Sequence, residues 1–191
     1  MGLMSKVSRR TLHRRYEAAA EAGDADAMLF LGTVTAKDDA AAAREWFRRS
    51  AEAGSVHAMY IVGLYLEPRA PAESRDWLER SADGGHIDAM VKLGVLDQAA
   101  APAAARRRYE QAAKRGSVIA MFNLGLLYEP TDRASAIGWY EKAVAEGDVD
   151  AMFNLAKLTE ASDPDVARAL LERATAAGHA EAREHLAGDS A

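Results

Sequence analysis

His179, Glu181, Glu184 and His185 place four potential metal ligands within one short stretch of a 191-residue chain. Imidazole and carboxylate at that density could hold a metal ion, but no two of these histidines stand one helical turn apart, as paired ligands on one helix must. The plainer reading is a polar helix end with an exposed histidine in its first turn. All five histidines, His13, His57, His86, His179 and His185, are read as sharing no phase of any internal pattern. There is no His-Glu-x-x-His, no Gly-x-Ser-x-Gly elbow and no phosphate loop. The chain has no cysteine, which removes thiol nucleophiles, thiolate metal sites and disulfides together. No catalytic residue, metal, cofactor or small-molecule substrate is expected.

A second set of residues suits recognition. Asn123 and Asn154 each carry a donor and an acceptor, the pairing that an extended peptide backbone requires. Lys92 and Lys157 could hold a carboxylate, and Tyr60 with Phe122 or Phe153 an apolar side chain. Phe-Asn recurs at Phe122-Asn123 and Phe153-Asn154, a step of 31 residues. That step belongs to the whole chain.

Glycine recurs with the same step at Gly23, Gly54, Gly85, Gly116, Gly147 and Gly178. A fixed period of this size means one supersecondary unit stacked many times. After five of the six glycines, small and apolar residues return at helical spacing, as in Ala120, Met121, Leu124 and Gly125. They share one helix face and form a seam against a neighbour, the small residues allowing close approach. Before each glycine a second apolar seam, as in Ala136, Trp139, Tyr140, Ala143 and Val144, marks a second helix. Seven positions before each glycine stands a large residue (Tyr16, Phe47, Leu78, Tyr109, Tyr140, Leu171), read as the wedge between helices. Tryptophans of this seam are assigned to the core.

Boundaries follow the same period. Pro71, Pro102 and Pro164 suit the first turn of a helix, Asp132 and Asp163 can cap it, and the repeat glycine closes it in a left-handed conformation. The pattern predicts an all-α chain of about twelve helices. A first helix runs from about Ser5 to Ala22, five helix pairs from about Ala25 to Ala177, and a short helix from about Glu181 to Ala187. The corresponding divisions are 1–22 (an amino-terminal helix continuous with the array), 23–177 (five repeats) and 178–191 (a truncated repeat acting as a polar cap).

On the first helix of each pair, the face away from the seam contains the positions three, six, seven and ten after the glycine. Apolar and aromatic residues on that face need a second neighbour or a ligand. The residue six after the glycine is expected to pack half against the next repeat. The residue seven after it runs Phe30, Ile61, Lys92, Asn123, Asn154, and this change of chemistry in a constant frame marks a solvent-facing position. The expected site is therefore a concave groove lined by Tyr60, Lys92, Phe122, Asn123, Phe153, Asn154 and Lys157, which accepts a peptide or helix of a partner protein.

The segments Ala120–Tyr128 (Ala-Met-Phe-Asn-Leu-Gly-Leu-Leu-Tyr) and Trp139–Gly147 (Trp-Tyr-Glu-Lys-Ala-Val-Ala-Glu-Gly) closely resemble the Sel-one-like repeat, and the resemblance covers almost the whole chain. It implies a right-handed α-α superhelix related to the tetratricopeptide repeats, with a role as scaffold or adaptor. In the tetratricopeptide relatives an inner-helix Asn often bonds the backbone of a bound peptide, and Asn123 and Asn154 resemble it. One departure is the short connection between the two helices, such as Leu66 to Pro71, which leaves less loop surface than typical members have. The family also suggests a hydrolase of the β-lactam-binding type, but those secreted relatives rest on cysteine frameworks that this chain lacks.

The bulk properties agree with a binding protein. The chain is 49% hydrophobic and 28% charged, with no apolar run of membrane-spanning length and no signal-peptide core in Met1 to Val7. A cytoplasmic address is the default, and the Ala-rich composition suggests a bacterium with a GC-rich genome. Met-Gly at the start fails as a myristoylation signal because Lys6 stands where Ser or Thr is needed. The net charge of −5 argues against a general nucleic-acid binder. The exception is Lys6, Arg9, Arg10, Arg14 and Arg15, a basic stretch that offers nucleic-acid or anionic-surface binding as the alternative.

Overall fold

A computed structural model describes residues 13–188, and among them every regular element is a helix. Residues 13–21 form α1. There follow α2 (Ala25–Thr35), α3 (Ala40–Glu52), α4 (Val56–Leu66), α5 (Pro71–Asp83), α6 (Ile87–Asp97) and α7 (Pro102–Ala113). The remaining helices are α8 (Val118–Tyr128), α9 (Arg133–Ala145), α10 (Val149–Thr159), α11 (Pro164–Ala176) and α12 (Ala180–Gly188). This is the expected all-α repeat fold of the solenoid type. The part of the first helix expected before residue 13 lies outside the described residues. The chain forms two compact units, Met1–Leu93 and Gly94–Ala191, with the boundary inside α6.

The turn after each second helix follows from its glycine. All six repeat glycines have φ between 87° and 103°, a region that disfavours a side chain. At the Gly147 turn, Gly147 N–H donates to the Val144 carbonyl and Asp148 N–H to the Ala143 carbonyl, both at 3.0 Å. This double bond pattern satisfies carbonyls left over at a helix end. The next residue then opens the following helix. Asp148 and Asp24 accept the Ala151 and Ala27 N–H through a carboxylate, and Ser55 and Ser117 accept those of Ala58 and Ala120 through a hydroxyl. Asp132 and Asp163 cap α9 and α11 as expected, and Pro71, Pro102 and Pro164 occupy first turns.

Packing within a pair depends on one small residue meeting one large one. Gly94 lies against the Tyr109 ring and Gly125 against the Tyr140 ring, so closely that a Cβ on either glycine would fall within 2.5 Å of a ring carbon. Both tyrosines are fully buried. In the first unit Gly32 meets Phe47 and Gly63 meets Leu78 in the same way. The wedge reading therefore holds. Around these contacts the second unit gathers Ala136, Ala143, Ala151, Leu155, Leu170 and Leu171 into its core. The first unit has smaller clusters around Leu31 and Val62. The tryptophans are less uniform than expected: Trp77 is buried, while Trp46 and Trp139 are half-buried beneath Arg49 and Lys142.

Candidate functional face on the first helices

The first helices α2, α4, α6, α8 and α10 bury the seam four, five, eight and nine residues after the glycine, Met121 alone being half-buried, and carry the expected residues on the opposite face. Tyr60 and Lys92 lie in the first unit, and the other five expected residues in the second. In the first unit the half-buried Tyr60 ring stacks on His86 with centroids 4.6 Å apart, as the six-after position was expected to do with the next repeat. Burial, and then the Asp88 carboxylate, push the Tyr60 phenol above its ordinary pKa. Lys92 is committed to the chain itself, since its Nζ lies 2.8 Å from Glu67 Oε1. An outside carboxylate would have to displace Glu67.

In the second unit α10 is also largely engaged. Phe153 is 9% exposed, and its ring stacks on His179 at 4.7 Å. Lys157 is exposed, with its ammonium 5.4 Å from the centre of the Phe153 ring. The Asn154 amide donates a long 3.5 Å bond to the Tyr140 oxygen, and Tyr140 donates to Glu129 at 2.9 Å. Burial first, then the bond to Glu129, hold the Tyr140 phenol well above its usual range.

The stripe on α8 differs. Ile119, Asn123 and Leu126 follow one another at helical spacing, with Ile119 58% and Leu126 37% exposed. Asn123 is half-buried between them, and among the described residues none bonds its amide. Tyr109, which stands to Asn123 by period as Tyr140 does to Asn154, donates its hydroxyl to Gln98 at 3.0 Å. Phe122, beside Asn123, is half-buried with its ring 5.9 Å from that of Tyr140.

Sequence reasoning missed the acceptors that decide which of these groups are occupied. Glu67, Gln98, Glu129 and Glu160 recur thirteen residues after successive repeat glycines. They take Lys92, the Tyr109 and Tyr140 hydroxyls and, at 2.9 Å, His185 Nε2. The period itself was the available signal. A second correction concerns the histidines, because His86 and His179 do share a phase, directly after the glycine. Each accepts a first-turn N–H through Nδ1, from Ala89 at 3.3 Å and Ala182 at 3.1 Å. His179 and His185 are thus turned to a helix cap and to Glu160, not to a common centre. Of the basic amino-terminal stretch, Lys6, Arg9 and Arg10 lie outside the described residues, and Arg14 and Arg15 are exposed.

Comparison with known proteins settles what kind of repeat this is. The Sel1 repeat model matches residues 17–55, 56–86, 118–148 and 149–179, more than half of the chain. The chain belongs to the Sel1 repeat family. Sel1 repeat proteins are typically protein-interaction scaffolds without enzymatic activity. The stretch between 86 and 118 escapes the model, yet it keeps the positive-φ Gly116 and the contact of Gly94 with Tyr109. Among solved structures the chain resembles a protective antigen of uropathogenic Escherichia coli that displays an SLR fold. The identity is 26% and the TM-score 0.74 over 85% of this chain, which spans 40% of that protein's length. It also resembles a Sel1 repeat protein from Oxalobacter formigenes, at 21% identity and TM-score 0.76 over 86% of this chain and 78% of the other. An immunity protein of Pseudomonas aeruginosa shares the fold at 21% identity and TM-score 0.56, over 93% of this chain and 73% of that one. Among curated proteins nothing matches. No described helix is long and apolar enough to cross a membrane.

Proposed function

We propose that this Sel1 repeat protein is an adaptor whose second unit holds a peptide or helix of a partner protein on the exposed face of α8. The observation that carries the reading is the stripe Ile119, Asn123, Leu126, where two exposed apolar side chains flank an amide with both hydrogen-bonding functions unused. Exposed apolar surface beside an unsatisfied polar group is what a partner's side chains and backbone would cover. Asn154 and Lys157 on α10 extend the site, with Phe122 and Phe153 as its apolar floor. Tyr60 and Lys92 form the corresponding face of the first unit. No catalytic role is assigned, and the proposed setting is a bacterial cytoplasm.

The test is affinity capture from a native lysate, followed by rebinding of the identified partner to purified variants. Ile119→Ser with Leu126→Ser, and separately Asn123→Ala, are expected to weaken binding at least ten-fold with helicity unchanged, in line with apolar anchors at an interface. Val166→Ser, on the equally exposed α11 surface, is the control and should bind normally. Binding unaffected by the α8 variants would remove that helix from the site.

A further inference from the structure

The first helices α2, α4, α8 and α10 open on a carboxylate or hydroxyl cap, whereas α6 opens on an imidazole. The Ala89 N–H donates to His86 Nδ1 at 3.3 Å. A carboxylate remains an acceptor down to about pH 4 and a hydroxyl at any pH, but an imidazole nitrogen accepts only while it is unprotonated. The cap therefore fixes His86 as the neutral tautomer with its hydrogen on Nε2.

The surroundings of the ring favour that neutral form. His86 is half-buried, stacked on Tyr60 from α4 at 4.6 Å, and met edge-on by the His57 ring from the same helix at 4.7 Å. Two imidazolium rings at that separation would repel. A proton on Nδ1 would also point at the amino-terminal end of α6, where the helix dipole is positive. The opposing charge is Asp88 in the first turn of α6.

We propose that His86 is an acid-sensitive cap: proton uptake at Nδ1 releases the Ala89 N–H and loosens the first turn of α6, leaving the Ser- and Asp-capped helices closed. Burial first, and then His57, lower the His86 pKa from its ordinary value, so the capping form prevails at neutral pH. With the folded-state pKa depressed, the stabilisation is complete above about pH 6.5 and is lost as the pH falls through the folded value. The device gives this repeat a response to mild acid that the Ser- and Asp-capped repeats lack, while α12 also opens on an imidazole, that of His179.

The experiment is residue-resolved amide exchange on the full chain at about pH 7.5 and about pH 5, expressed as protection factors so that the intrinsic pH dependence cancels. The Ala89 protection is expected to fall about five-fold in acid, the factor that loss of one cap represents. Ala120, whose N–H is held by Ser117, should not change. His86→Ser installs the cap already used by α4 and α8 and should abolish the fall at Ala89. Nitrogen chemical shifts of the His86 ring report the tautomer and the protonation step directly. The proposal is overturned if Ala89 protection is the same at both pH values, if Ala120 falls equally, or if the His86→Ser chain shows the same fall.

Discussion

Glycine to alanine is the same chemical change at Gly125 and Gly138, yet the structure gives it opposite signs. At Gly125 in α8 the new Cβ would lie 2.3 Å from Tyr140 Cε1 and 2.5 Å from Cδ1. Carbon atoms in contact sit about 3.5 to 4.0 Å apart, so the ring must retreat by about an ångström. Tyr140 is fully buried and its hydroxyl is bonded to Glu129, so retreat disturbs both core and bond. Over-packing costs about 1–3 kcal/mol and the strained bond about 1, while alanine's better helix propensity returns about 1. Gly125→Ala is therefore expected to destabilise by about 1–3 kcal/mol. At Gly138 in α9 nothing lies within 4 Å of the added Cβ, and only the propensity term remains. Gly138→Ala is expected to stabilise by about 0.5–1 kcal/mol. Ala156 provides a natural counterpart, since it takes Gly125's place in the next repeat, where Leu171 replaces the tyrosine ring. Ala156→Gly should cost about 1 kcal/mol. Urea unfolding followed by tryptophan fluorescence measures all three. The packing argument is refuted if Gly125→Ala and Gly138→Ala move the midpoint in the same direction.

Other expectations follow from single groups. The Tyr109 phenol is pushed up to about 12 by burial, so its neutral form stabilises the fold fully below about pH 10, and that contribution is lost as the pH rises towards 12. Tyr109→Phe should flatten the alkaline decline in a series of unfolding midpoints; an unchanged decline would assign it to other groups. The Thr175 hydroxyl is buried with no hydrogen-bond partner among the described residues. Thr175→Val keeps the shape and removes the stranded group, and should raise stability by about 1 kcal/mol in thermal unfolding, whereas a loss would mean that the hydroxyl is satisfied in solution.

Most of the fold is legible in the sequence because its devices are local. A glycine every 31 residues, a polar residue straight after it and a proline in a first turn each fix backbone geometry within a few positions. The wedge residue is legible too, since a large side chain seven before one glycine and a small residue nine after the previous one recur in phase. The candidate site was legible only as a face. Asn123 and Asn154 look equivalent by period, yet one amide is unpaired and the other leans on Tyr140. Lys92 reads as a free cation but is held by Glu67, twenty-five residues away in sequence.

The sequence by itself determined the helices, their ends and the family, because each depends on residues a turn or a repeat apart and is written in their spacing. The tertiary structure decided which groups remain available to a partner. Availability depends on whether a neighbouring repeat supplies an acceptor or a ring within about 3–5 Å, a distance that no period can specify. It closes Phe153 under His179, ties Lys92 to Glu67 and turns His86 into a cap, and it leaves the Ile119, Asn123 and Leu126 stripe uncovered.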